Sequence, residues 1–357
     1  MTRTFQALAV AVTVVGLGSL LGAQTAPPDT AFETQADFLR TPNDIHVGEV
    51  AGVGTNSRGD IFIYTRTGHP HATLGDNRTF YRGGSRLFQF DPHGTFMREL
   101  GQDVYGFNAA IGLRVDPQNN VWTIDEGANQ VVKFDPDGRV QLVLGRKPET
   151  MSVRENAAGG GGGGRAPTGP PGAGTPGSSF NRPTDVAWDG AGNIYVADGI
   201  GTTNRIAKFD SDGRFIRHWG STGSAPGQFD GVKGLAIDAQ GHVYAADRGN
   251  QRIQVFDADG NFLSEFGHIG TPIALCLTSG ATQYLYVSHS GDPDGMEDAA
   301  IYKVQLDGRI VGRFGSAGKR PKELGVANSL ACMGENELLI GEMTNWRVQR
   351  VTLNPSR

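Results

Sequence analysis

Cysteine is almost absent: Cys276 and Cys332 are the only two in 357 residues. A disulfide-dense scaffold is thereby excluded, and stability has to come from apolar packing. Beyond the N-terminus, no stretch is both apolar and long enough to span a bilayer. Positive charge is short as well, with 32 Lys and Arg against 37 Asp and Glu for a formal net charge of −5. A mildly acidic chain is a poor partner for nucleic acid, which rewards a basic face. No G-x-S-x-G nucleophile elbow occurs, and no convincing Ser/His/Asp set is present.

The N-terminus departs from this composition. Arg3 is followed by an uncharged run from Ala7 to Leu21 that ends in small residues, Gly22 and Ala23. A lone positive charge, a short apolar core and a small-residue exit predict a signal peptide over residues 1–23, cleaved after Ala23. An uncleaved anchor is the alternative, but Gly16, Gly18 and Ser19 interrupt a run already short for a span. With no cysteine nearby, lipoprotein processing is excluded. The expectation is an exported protein, periplasmic or extracellular, with no stable membrane insertion. Loss of Arg3 with the leader shifts the formal charge from −5 to −6.

What the chain has in abundance is a repeated unit. The stretch Val232 to Gly267, VKGLAIDAQGHVYAADRGNQRIQVFDADGNFLSEFG, reads as four short strands separated by turns at Asp238–Gly241, Arg248–Gln251 and Asp257–Gly260. β-branched and aromatic residues fill the runs, while Gly, Asp and Asn punctuate them, as in an antiparallel meander. The inner-strand element recurs as GVGTN (52–56), GLRVD (112–116), DVAWD (185–189), GLAID (234–238), IALCL (273–277) and SLACM (329–333). The glycines before each fourth strand, Gly94, Gly138, Gly213, Gly260 and Gly308, are spaced by 44, 75, 47 and 48 residues. A four-strand unit with a period in the mid-forties predicts a six-bladed, all-β propeller of antiparallel blades.

The long interval holds one insertion, at about 147–178, with six consecutive glycines from Gly159 to Gly164 and then a Pro/Gly tract. Such a segment has little apolar surface to bury and is expected to be a disordered surface loop. The helix with Lys and Ser/Thr that a phosphate cradle requires is missing. The rest, 24–357, is expected to form a single propeller. The last unit ends after three strands, so an N-terminal piece is expected to supply the fourth and close the ring. The strand-like candidate between Phe32 and Val47 is Ala36 to Arg40.

Several polar residues repeat with the blades. Asp125, Asp198, Asp247 and Glu342 end second strands, and Arg86, Arg205, Arg252 and Arg347 begin third strands. A residue type repeated around a ring is expected to staple its own hairpin rather than form one site. Cys276 and Cys332 fall inside inner strands of neighbouring blades, either as two buried thiols or as a disulfide between blades.

The units GLAIDAQGHVYAADRGNQRIQVFDADGNFLSEFG and DVAWDGAGNIYVADGIGTTNRIAKFDSDGRFIRHWG resemble NHL repeats over roughly residues 50 to 352. Within that group the chain most resembles the peptidyl-α-hydroxyglycine α-amidating lyases. That resemblance implies a six-bladed propeller with a zinc ion in its channel, held by histidines at three inner-strand openings with an Arg and a Tyr alongside. IYTRTGH supplies Arg66 and His69 for the Arg context, but Ile200 stands in the tyrosine's place. Ile111, Lys233 and Asn328 stand where the histidines are implied, and the aligned Ala51, Thr184 and Pro272 do not restore them. Ile offers no donor, Lys is a cation and Asn is a weak ligand. The scaffold is therefore expected without the lyase activity.

The starts of inner strands and the loops between second and third strands should share one face. On it the sequence gathers Arg66, His69, His71, Glu126, Asp185, Lys233, Arg248, His289 and Glu342 as candidate ligand-binding residues. Arg66 and His69 are the candidate catalytic pair, and His69, His71 and His289 are candidate ligands for a divalent metal, zinc or calcium. The acidic loop Asp292, Asp294, Glu297 and Asp298 lacks EF-hand spacing and reads as a solvated loop. The expected function is an exported scaffold, monomeric, that binds a protein, peptide or small molecule on this face. The alternative is a metal-dependent enzyme in the channel, either amidating-lyase-like or of the lactonase type.

Overall fold

The computed structural model describes residues 27–67, 72–73, 79–80, 84–145, 179–200, 203–291 and 297–354. The expected leader, the 147–178 insertion, His69, His71, Asp292 and Asp294 lie outside the described residues. The described chain contains no helix, and its strands form six four-stranded antiparallel sheets.

Blade four shows how sequence becomes structure. Val232–Ile237, Val243–Asp247, Arg252–Phe256 and Phe262–Phe266 pair in chain order as a meander. Its second strand is buried throughout, because it lies between the faces of the two neighbouring blades, whereas its outer strand is mostly exposed. This radial gradient explains why VYAAD reads as a continuous small-apolar run and FLSEF carries charge. The connection between third and outer strands turns at Gly260, which has φ of +82°, and Gly94, Gly138, Gly213 and Gly308 repeat that conformation. Glycine is required there because L-residues resist the left-handed region. At Gly260 there is a second reason: an added Cβ would lie 2.4 Å from the Trp219 ring of the blade before it.

Hydrophobic clusters form between blades rather than within them. Between blades three and four, Tyr195, Ala197 and Ile206 pack with Phe229, Leu235, Ala245 and Phe256. Neither blade can bury that surface alone, so the ring must close. Blade six is Ala327–Cys332, Glu337–Glu342 and Arg347–Leu353, and its outer strand is Phe32–Gln35, antiparallel with Phe32 opposite Leu353. Closure by the N-terminus is as expected, but the closing strand is Phe32–Gln35, not Ala36–Arg40. Arg40 instead bridges to Thr95 beside the outer strand of blade one. Phe32, with its ring against Phe314, anchors the closing strand, while Phe38 and Leu39 of the later segment pack instead into the cluster between blades six and one.

The hairpin staples form in three blades. Arg205 reaches Asp198 at 2.9 Å, Arg252 reaches Asp247 at 2.8 Å and Arg347 reaches Glu342 at 2.8 Å. Arg86 departs from the pattern by pairing with Glu99 on the outer strand. In blade two Gln130 stands opposite Asp125, which instead accepts from the Tyr64 hydroxyl at 2.9 Å.

Cys276 and Cys332 are bonded to each other, which decides between the two readings left open by the sequence. Both line a cavity at one end of the channel, on the inner strands of blades five and six, and the bond ties the ring across 56 residues of chain. Removing a loop constraint of that length should cost about 2–4 kcal/mol. Denaturant unfolding of the oxidised protein and of Cys332→Ser should show that difference. Equal midpoints would contradict a stabilising role.

Candidate functional site

All six inner strands carry a one-residue bulge at the same point. The register shifts fall between Val50 and Gly52, Ala110 and Gly112, Pro183 and Asp185, Val232 and Leu235, Pro272 and Leu275, and Ala327 and Ser329. A bulge re-aims a side chain that regular pleating would send into a neighbouring blade. Here it presents a ring to the channel axis: Ile111, Thr184, Lys233, Ile273 and Asn328 line a narrow cavity of about 10 Å³, and Ala51 holds the equivalent place in blade one. Space of that size admits about one water. In blade five the ring position is Ile273, one residue beyond the expected Pro272.

Most polar groups at this level are already committed. The Asn328 amide donates to the carbonyls of Ala51 at 2.6 Å and Ile111 at 2.8 Å. Thr184 Oγ1 donates to the Val232 carbonyl at 3.0 Å. Asp185, expected on the binding face, is instead held by Arg114, whose Nε donates to Oδ1 at 2.8 Å and whose terminal nitrogen donates to Oδ2. Asp185 also accepts from the backbone of Leu235 at 2.8 Å. This ion pair separates the narrow cavity from a wider one of about 230 Å³ at the opposite mouth. The wider space is walled largely by apolar side chains such as Val186, Leu275 and Leu330, with the disulfide among its lining.

Lys233 is the exception. Among the described residues its ammonium makes no hydrogen bond, and it is partly buried. Burial lowers its pKa to about 8, with the positive charges of Arg66 and Arg248 adding to the effect and Glu126 and Asp185 opposing it. Lys319 is exposed to solvent, and the remaining described lysines have partners. Lys208 donates to the Ala258 carbonyl, Lys303 and Lys322 pair with Glu335 and Glu33, and Lys133 lies over the Trp122 ring.

Residues at the ends of the second strands of blades one, two and four, Arg66, Glu126 and Arg248, lie around Lys233. Arg66 of blade one donates to Glu126 of blade two at 2.8 Å and to the Ala110 carbonyl at 2.7 Å. Glu126 also receives Arg182 of blade three at 2.7 Å. Burial alone would raise the Glu126 carboxyl, but Lys233, Arg182 and Arg66 outweigh it and hold it below the usual range. Arg248, from the same place in blade four, is exposed. Arg182 was missed from the sequence because it precedes an inner strand rather than following a second strand. Its one sequence signal is the Arg-Pro pair that opens that strand.

Two expected site residues have structural work instead. Glu342 is fully buried, accepts from the Gly325 backbone at 2.7 Å, and is stapled by Arg347. Asp198 and Asp247 do the same to the backbones of Asn181 and Asp230. His289 is the blade-five version of this clasp: the Thr271 N–H donates to Nδ1 at 2.7 Å, while Nε2 bonds Asp298 at 2.9 Å. Both ring nitrogens are thus engaged and the side chain is buried, so His289 is no free loop ligand. Among the described residues, no group of three or more His, Cys, Asp or Glu could hold a metal.

The NHL repeat family matches residues 229–256, the first three strands of blade four. The chain is 31% identical over 227 residues to peptidyl-glycine alpha-amidating monooxygenase B of Xenopus laevis, covering 59% of this chain and 23% of that protein. It is 28% identical over 252 residues to a probable peptidyl-alpha-hydroxyglycine alpha-amidating lyase of Caenorhabditis elegans, covering 64% and 61%. It is 37% identical over 175 residues to NHL repeat-containing protein 3 of Mus musculus, covering 48% and 44%. The chain therefore spans less than a quarter of the length of the monooxygenase. Among solved structures, it is similar in fold to a gluconolactonase from Xanthomonas campestris, with TM-score 0.57, 16% identity, and 92% and 96% coverage. A streptogramin B lyase gives TM-score 0.54 at 14% identity, covering 90% of this chain and 98% of that one.

The Arg114–Asp185 pair generates a test. Asp185→Asn would leave a guanidinium unpaired in the channel and should cost about 2–4 kcal/mol, less than a fully buried pair because both partners retain some exposure. The double change Arg114→Met with Asp185→Leu should recover most of that loss in urea unfolding. A double variant as unstable as the single one would mean the pair does more than neutralise itself.

Proposed function

We propose that this six-bladed propeller is an exported binding protein for small organic carboxylates, which it receives at the channel mouth above Lys233. The observation that carries the reading is that Lys233 stays uncommitted in a ring where the other polar side chains are engaged. Its charge faces an entrance that also holds Arg66, Arg182 and Arg248, against Glu126 and Asp185, whose oxygens are already taken, and the more exposed Glu49, which lies 3.8 Å from Arg66. A carboxylate entering there gains charge-assisted hydrogen bonds without displacing any existing pair. The apolar N-terminal run and the Cys276–Cys332 bond support export, since disulfides persist in oxidising compartments.

The similarity to amidating lyases raises zinc chemistry as the rival reading. The ring positions do not fit that metal. Ile111 has no donor atom, Lys233 brings a positive charge to the place a cation would occupy, and the Asn328 amide is spent on two carbonyls. We therefore derive no zinc-dependent step. The lyase reading would be restored if the purified protein, supplied with zinc, turned over a hydroxyglycine peptide above background.

Titration calorimetry with lactate and with lactamide tests the carboxylate reading. Lactate should bind saturably and lactamide should not. Lys233→Met should weaken lactate by about tenfold or more, the worth of one hydrogen bond to a charged group. The sign of the pH effect follows from the lysine: its positive charge is present below about 8 and is lost above it. Lactate affinity should thus hold from neutral pH downward and fall as pH rises through about 8, with no such step in Lys233→Met. Equal heats for lactate and lactamide would overturn the reading.

A further inference from the structure

Resting on the carboxylate reading, we propose that Lys233 captures acids that also carry a carbonyl group, the 2-oxo acids, as a reversible imine. The geometry separates two jobs within one mouth. Arg66 and Arg182 converge on Glu126 at the rim, Arg248 stands exposed beside them, and Lys233 lies lower, in the lining of the narrow cavity. Among the described residues the Arg248 side chain makes no hydrogen bond, so it is the rim guanidinium that can hold a ligand's carboxylate and bring the adjacent carbon toward the amine. The narrow cavity that Lys233 lines has room for about one water and is closed beneath by the Arg114–Asp185 pair, so a short acid stays at the mouth above it.

An amine forms an imine only when it is unprotonated and unencumbered, and Lys233 meets both conditions better than the other described lysines. Among the described residues no acceptor holds its hydrogens. Burial and the neighbouring guanidiniums lower its proton affinity, as in enzymes whose Schiff-base lysine lies in an apolar pocket or beside another cation. With a pKa of about 8, roughly a tenth of the side chain is the free amine at neutral pH, against well under a thousandth for an ordinary lysine near 10.4. The charged groups that set this balance come from each neighbouring blade: Arg66, Glu126 and Arg248 at the mouth, with Arg182 beyond Glu126, and Asp185 with its partner Arg114 beneath.

The step balances without a further reactant. The Nζ lone pair forms a bond to the carbonyl carbon while the C=O π pair moves to oxygen. The oxygen then leaves as water, carrying the two hydrogens that the amine gave up, and the C=N bond remains. Hydrolysis reverses it, so the imine is a mode of retention and needs no oxidant or reductant.

The full chain with its disulfide intact is incubated with pyruvate and sodium cyanoborohydride, which reduces an imine to a stable secondary amine, and the modified lysines are located by peptide mass mapping. Lys233 should be modified at least about tenfold faster than any other lysine, reflecting its free-amine fraction. The rate should rise between pH 6 and about 8, opposite in sign to the loss of lactate affinity above about 8. Excess lactate, which has the carboxylate but no ketone, should slow labelling at Lys233 and nowhere else. Lys233→Arg should remove the fast site, and the lactate competition tests the same point without any substitution. Lactate binding with Lys233 labelled no faster than the other lysines would overturn the imine and leave the carboxylate site standing. Fast labelling that lactate cannot slow would overturn the carboxylate site and with it this proposal's account of how the acid is held. Neither binding nor labelling would overturn both.

Discussion

Each inner strand serves two masters, its own hairpin and the channel, and a one-residue bulge at the same point in all six strands reconciles them. Regular alternation would send every side chain into a neighbouring blade or back along the sheet. The extra residue turns one side chain per blade to the axis while the residues on either side return to the ladder. The backbone thereby defines a ring of six positions, and the chemistry of the channel is whatever those six carry. Here they are two aliphatics, an alanine, a threonine, an asparagine and a lysine: Ile111, Ile273, Ala51, Thr184, Asn328 and Lys233.

The polar groups around that ring are satisfied in a set order. Clasps at the ends of second strands hold the backbone that enters the inner strand, by a carboxylate in most blades and by His289 in blade five. The next residue outward is free to face the mouth, and in blades one, two and four it is Arg66, Glu126 and Arg248. Below them, Arg114 and Asp185 neutralise each other and close the channel. Charge is thus paired wherever it is buried, as desolvation demands. Lys233 breaks that rule. A group that departs from an otherwise consistent pattern is where function is to be sought, because the fold gains nothing from leaving it unpaired.

The architecture was legible from the period of the turn glycines and the alternation of short β-rich runs, since both are imposed locally by backbone geometry. Ring closure was legible as a need, because three strands were left in the last unit, but its residues were not. Ala36–Arg40 read as the strand of that segment, whereas Phe32–Gln35 is the piece that pairs with Arg347–Leu353, with Phe32 packed against Phe314. Of the expected mouth residues, Arg66, Glu126, Lys233 and Arg248 do meet. Asp185, Glu342 and His289 carried the right spacing but are consumed by Arg114, by the Gly325 backbone and Arg347, and by Thr271 and Asp298. Spacing along a strand cannot reveal a partner in another blade, as Arg114 and Asp185 meet across adjacent blades although 71 residues separate them in the chain.

Taken alone, the sequence determined that this chain is a ring of six meanders and that a lysine, Lys233, stands at the opening of the fourth unit's inner strand. Those properties are written in local repeats, which need no knowledge of what lies across the channel. The tertiary structure decided which polar residues are spent on the scaffold, that Cys276 and Cys332 are joined, and that Lys233, unlike Thr184 and Asn328 of the same ring, makes no hydrogen bond among the described residues. Those properties depend on which side chains from different blades come within bonding distance, and the bulges and the closure of the ring set that distance.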